Sequence, residues 1–178
     1  MSTNPRYHGY IAMSLDGFIA DSTGSIEWLD PFNAALGADG GDGGYQDFIA
    51  PIDALILGRS TYDQVMGWGW PYDARPGYML TRNATFSGDH IAAAGSIETL
   101  RNAINAAGHE HIWVMGGGKT QRAALDAGLF HSLKLFVMPT ILGAGLPCFA
   151  PGRQHNLTLT GSAQLPGGIL QIDYHIKD

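Results

Sequence analysis

The chain has 178 residues, a formal net charge of −6, 45% hydrophobic residues and one cysteine. That length is enough to bury a core as one domain over residues 1–178. A lone cysteine excludes an internal disulfide, and an acidic balance without a Lys/Arg-rich stretch argues against nucleic acid and anionic membranes as partners.

No apolar run reaches membrane-spanning length and no charged-then-apolar leader opens the chain, so a soluble, cytoplasmic protein acting on small molecules is expected. From the N-terminus, Tyr7 to Met13 reads as a strand closed by the Asp16-Gly17 turn signal. "ALGADGGDGGYQ" is too glycine-rich for a core element and reads as a long loop leading into a short helix over Tyr45 to Ile49. "DALILG" is a short continuous apolar run, the pattern of a strand buried on both faces, and "RSTYDQVM" starts a helix at Ser60 or Thr61. "GYMLTR" and "HIAAAG" are two further strands. "SIETLRNAINAAG" is a helix with Ile97, Leu100, Ile104 and Ala107 on one face, Ser96 as N-cap and Gly108 as stop.

"HIWVM" is another buried strand, "KTQRAALDAG" a helix stopped by Gly128, and "LKLFVM" a strand before Pro139. Leu157 and Leu159 alternate with threonines, and Leu170, Ile172, Tyr174 and Ile176 alternate with polar residues across a "PGG" turn, which predicts a terminal antiparallel hairpin. The expected fold is a three-layer αβα domain, a mostly parallel mixed sheet ending in that hairpin.

The chemistry-bearing stretch is "IWVMGGGKTQ", from Ile112 to Gln121. It is not a P-loop, because Trp113 stands where the first glycine is needed, and it is not G-x-G-x-x-G, because Gln121 stands at the last position. Glycines at a strand end followed by a helix start still suit an anion, through close backbone approach and unpaired N–H groups. Arg59, Arg82, Lys119 and Arg122 are four of only ten Lys and Arg residues, and each follows a predicted strand. In an open α/β sheet that edge is where ligands bind.

"IAMSLDGFIA", "LGRSTYDQV", "VMGGGKTQ" and "PTILGAGLPCF", in this order and across most of the chain, resemble the dihydrofolate reductase superfamily, in the branch related to the reductase domain of bacterial riboflavin biosynthesis. The resemblance implies an extended NADPH along the sheet edge and hydride transfer to a C=N or C=O of a small pterin-, pyrimidine- or carbonyl-type substrate. It implies that backbone at Ala12 holds the nicotinamide carboxamide. Gly116, Gly117 and Gly118 with Lys119, Thr120 and Gln121 would cradle the pyrophosphate, and Gly58, Arg59, Ser60 and Thr61 would line the phosphates. Leu80, Thr81 and Arg82 would take the adenosine end, where a cation and a hydroxyl favour a 2′-phosphate. Relatives of this kind also imply a homodimer.

The chain departs from folate-reducing relatives in two places. A glycine-rich insertion follows Trp28 where an acid is expected, leaving Asp42 and Asp47 as candidate proton donors, and Met138 stands in place of a threonine. It also lacks the H-x-E and P-C-x-x-C signature of the deaminase that accompanies riboflavin-pathway reductases. Trp28 and Trp68 are the candidate substrate-pocket residues. Cys148, in apolar "LPCF", reads as a packing thiol. His109 and His111 in "HEH" read as surface histidines without a third ligand, so no metal is expected. A catalytically idle NADP(H)-binding or sensing protein is the alternative to a reductase.

Overall fold

The computed structural model describes residues 4–38 and 40–176, so Asp39 in the glycine-rich stretch lies outside the described residues. The chain opens with strand β1 (Arg6–Ser14) and a short β2 (Phe18–Ala20), followed by helices α1 (Asp30–Gly37) and α2 (Tyr45–Ile49). Strand β3 (Ala54–Gly58) runs into α3 (Arg59–Met66), and β4 (Gly77–Leu80), β5 (Ser87–Gly88) and β6 (Ile91–Ala94) follow. Helix α4 (Ile97–Ala107), β7 (His111–Gly116), α5 (Gly118–Asp126) and β8 (Phe130–Met138) complete the alternating part. A short β9 (Leu146–Pro147) and the hairpin of β10 (Leu157–Leu165) and β11 (Ile169–Ile176) end it.

The nine-stranded sheet has the order β10-β11-β8-β1-β7-β3-β4-β6-β5, and β2 pairs with β9 in a separate two-stranded sheet. Strands β8, β1, β7, β3, β4 and β6 are parallel, whereas β11, β10 and β5 join antiparallel. The expected three-layer arrangement is therefore present. Each face has its own core, because residues alternate sides along a strand. Ile56, Val114 and Leu133 pack with Leu100 and Ile104 of α4 and Ala124 and Leu125 of α5. On the other face Leu55, Leu57 and Trp113 pack with Tyr62 and Val65 of α3, and Phe136 and Met138 pack with Phe32 and Leu36 of α1.

Local signals explain most element ends. Ser96 accepts a hydrogen bond from the Thr99 amide at 3.1 Å, and Gly108 closes α4 in the left-handed conformation (φ 76°). Helix α2 spans the expected Tyr45–Ile49. Ala107 is exposed rather than part of the buried face of α4, and α3 begins at Arg59 rather than Ser60 or Thr61. Two elements differ more. Asp30–Gly37 is a helix where a loop is expected up to Tyr45, and β8 begins at Phe130, three residues before Leu133.

Candidate functional site

All parallel strands end on the same sheet edge, which brings Ser14, Gly58, Leu80, Gly116 and Met138 to one side of the molecule. Strand β1 pairs with β7 only from Arg6↔His111 to Gly9↔Val114, while it stays paired with β8 as far as Ser14↔Met138. Past Gly9, β7 follows β3 instead, reaching Leu57↔Gly116. The sheet thus parts between β1 and β7, and the β7-facing backbone of the Ala12 region is left open to a ligand. The floor of the opening is aromatic. The Tyr10 ring stacks on Phe48 at 4.4 Å and lies 4.6 Å from Phe136, with Trp113 edge-on at 6.4 Å.

At the tip of β7 the three glycines have different surroundings. Gly116 has φ +129°, a region closed to most side chains. A methyl on Gly117 would meet only Ile19 at 3.7 Å and Thr61 at 3.8 Å, in ordinary contact. A methyl on Gly118 would collide with the Pro147 carbonyl oxygen, so what approaches this glycine is the chain's own β9. Helices α3 and α5 both start here without a side-chain cap, with Gly58 and Gly117 as N-caps, and the place of a Gly58 methyl lies 3.8 Å from the Gly117 nitrogen. Two sets of first-turn N–H groups therefore flank one spot, an arrangement suited to a polyanion.

Two residues of the expected cradle are turned inward. Gln121 is 1% exposed. Its amide nitrogen donates to Val114 O at 3.0 Å and its backbone N–H donates to Gly117 O, so neither is free for a phosphate. Thr120 is buried as well, its hydroxyl filling the space beside Gly58, so it has only its backbone N–H to offer. Of the remaining residues, Ser60 and Lys119 are exposed and Thr61 is half-buried.

The cations divide into free and committed groups. Lys119 and Arg82 are exposed and take part in no ion pair among the described residues. Arg59 is at the same edge, but its Nε donates to Asp63 at 2.8 Å and its guanidinium lies 4.2 Å over the Phe86 ring. Arg122 is turned away, held by Asp126 at 2.7 Å. At the tip of β4 the Thr81 hydroxyl accepts from the Asn83 amide at 3.2 Å.

Neither candidate acid is placed as a proton donor. The Asp42 carboxylate accepts from the backbone N–H groups of Gln46 at 2.7 Å and Gly44 at 2.8 Å, and these bonds hold its pKa below the ordinary carboxylate value. It is an ionised cap for α2. Asp47 is exposed on the side of α2 opposite Tyr45, Phe48 and Ile49, which pack inward. Trp28, by contrast, sits with Ala12, Met138 and Phe136 at the parting, and its indole N–H is buried without a partner. Trp68 is not a pocket residue. It follows α3, which leads back from the strand tips toward the start of β4, and it is 61% exposed. Cys148 is buried, which pushes its thiol up to about 12.

Tyr10 and Asp16 are site residues that sequence reasoning missed. The Tyr10 hydroxyl donates to Gly43 O at 3.1 Å, and burial raises its pKa, keeping it protonated. Asp16 accepts from Ser14 Oγ at 2.6 Å, Leu142 N at 3.1 Å and Gly143 N at 2.8 Å, bracing the β1–β2 turn against the segment after β8. The Asp16-Gly17 signal marked the turn but not its distant partner.

The sequence profile of the RibD C-terminal domain matches residues 90–171. The chain is 32% identical over 170 residues to the uncharacterised protein YwjB of Bacillus subtilis (strain 168), covering 93% of this chain and 94% of that one. It is 27% identical over 191 residues to YyaP of the same organism, also uncharacterised. A candidate riboflavin biosynthesis protein from Shewanella sp. PV-4 superposes with a TM-score of 0.85 at 26% identity, over 97% of this chain and 99% of that one. The Thermotoga maritima diaminohydroxyphosphoribosylaminopyrimidine deaminase/5-amino-6-(5-phosphoribosylamino)uracil reductase shares the fold, with a TM-score of 0.71 at 16% identity. The match covers 97% of this chain and 57% of that longer protein.

Proposed function

The chain belongs to the RibD C-terminal domain family, and from that premise we propose that it is an NADPH-dependent reductase acting on a polarised C=N or C=O of a small pterin-, pyrimidine- or carbonyl-type substrate. The observation that carries this reading is the pair of uncapped helix starts at Gly58 and Gly117, set beside the parting of β1 from β7. The site fits the cofactor on its own chemistry. Open N–H groups and Lys119 suit the pyrophosphate, exposed Arg82 suits a 2′-phosphate, and the open edge of β1 at Ala12 suits a carboxamide.

When bound, NADPH supplies the hydride, and the protein's part is to bind, orient and exclude water. Tyr10, Phe48 and Phe136 give the opening an apolar floor. The unpartnered indole N–H of Trp28 is a hydrogen-bond donor for a substrate placed over Met138 and Ala12. Because Asp42 is tied into the α2 cap and Asp47 faces outward, the proton comes from water or from the substrate's own acidic group.

A tryptophan-fluorescence titration with NADPH and NADH tests the binding premise. Lys119→Ala is expected to weaken NADPH binding by about 1.5–3 kcal/mol, the scale of a charge-assisted hydrogen bond. Arg59→Ala is expected to cost less, because Asp63 already shares that guanidinium. If wild type binds neither cofactor, the reading fails. If it binds NADPH but shows no loss of reduced-nicotinamide absorbance with pterins, pyrimidine precursors and activated carbonyls, the idle binding role replaces the reductase.

A further inference from the structure

At the opposite edge of the sheet, where the strands begin, four of the seven histidines come together from four strands: His8 on β1, His111 on β7, His131 on β8 and His175 on β11. His8 Nε2 lies 3.2 Å from His111 Nδ1, with the two rings nearly coplanar at 14° and their centroids 5.4 Å apart. His131 stands edge-on to His8 at 5.9 Å, and His175 edge-on to His131 at 5.2 Å. A cavity of about 690 Å³ opens beside them, lined by Arg6, Glu110, His111, His131 and His175 among others.

We propose that His8 and His111 chelate a divalent transition-metal ion of the zinc type, with His131 the nearest further imidazole and water completing the shell. Two nitrogens bound to one tetrahedral ion at about 2.0–2.1 Å lie roughly 3.3 Å apart, which matches the separation found here. A ligating imidazole is normally oriented through its other ring nitrogen. His8 has that arrangement, with Nδ1 2.8 Å from Ser132 Oγ; the tautomer protonated on Nδ1 donates to the hydroxyl and turns the Nε2 lone pair toward His111. Both ligands sit on paired strands in register with their neighbours, so their positions are fixed by the sheet. His8 and His111 are half-buried and the cavity gives them access to solvent. Imidazole suits zinc, nickel and copper, whereas magnesium and calcium prefer oxygen ligands. Among the described residues no three His, Cys, Asp or Glu side chains already converge on one point, so the pair is the core of the site and the third ligand is recruited.

Calorimetric titration of the full chain with zinc chloride, and separately with magnesium chloride, tests the assignment without any activity readout. One zinc ion per chain and no magnesium binding are expected. His8→Ala and His111→Ala should each abolish the zinc isotherm. Ser132→Ala, which removes only the orienting hydroxyl, should weaken it by about tenfold or more, and His90→Gln, at a site remote from the pair, should leave it unchanged. Thermal melts of each variant separate loss of ligand from loss of fold, and Ser132→Ala carries the test if the histidine variants fail to fold. A wild-type chain that takes up no zinc has a pair that only shares a proton, and that overturns the proposal. So does binding that survives in the His8→Ala/His111→Ala double variant or is unmoved by Ser132→Ala.

Discussion

Gly118 has no room for a side chain, because an added methyl would run into the Pro147 carbonyl and the neighbouring Cys148 backbone. Gly118→Ala must push β9 away from the start of α5, an overpacking cost of about 1–3 kcal/mol. Chemical denaturation should show that loss as a lower midpoint with an unchanged slope; a variant as stable as wild type would mean that β9 gives way freely. The sequence showed three glycines at a strand end but not that their neighbours differ. Gly118 answers to a residue far along the chain, and Gln121, one position past the useful part of the helix start, turns its amide into the core to hold Val114. Whether a polar side chain at a helix start faces a ligand or the core depends on packing across the sheet, which spacing alone does not carry. The same is true of His8 and His111, which are 103 positions apart in sequence and adjacent in space.

Helix α5 carries both the proposed phosphate-binding start and, at its far end, a charged hub. Asp126 accepts from Arg122 Nε at 2.8 Å and pairs with His155 at 2.8 Å and Arg153 at 3.2 Å, while the Ala150 amide donates to Gly118 O at 3.0 Å. The segment after β9 is thereby strapped along the helix. The bonds from Arg122 and then His155 lower the Asp126 pKa to about 2, so the unfolded chain binds this proton more readily than the folded one. The stabilisation is present above the ordinary carboxylate pKa of about 4 and is lost as pH falls through about 2. Melting temperature measured across that window should decline less steeply in Asp126→Asn than in wild type; identical slopes would remove Asp126 from the acid response. Elements with strong local signals, such as α4 with its Ser96 cap and Gly108 stop, were legible in the sequence. Helix α1 was not, because its Asp30-Pro31 start and the Phe32 and Leu36 spacing are followed at once by glycines that pointed to a loop. β8 begins early because Phe130 and Leu133 fill the core beneath Gly9, a long-range contact with no local mark.

Alternating strands and helices predicted one sheet edge for Gly58, Leu80 and Gly116, and a parallel sheet places them there. The parting of β1 from β7 was not legible, since both strands are apolar throughout and only the register shows where their pairing stops. The account of the whole molecule rests on that opening and on the two helix starts beside it receiving one extended, reduced dinucleotide. Amide hydrogen exchange with and without saturating NADPH tests this most directly. The prediction is slowed exchange at Ala12, at Gly58 to Thr61 and at Gly117 to Thr120 together, with no change at the histidine-lined strand starts. Unchanged exchange at those strand tips in the presence of bound NADPH, or protection confined to another surface, would contradict it.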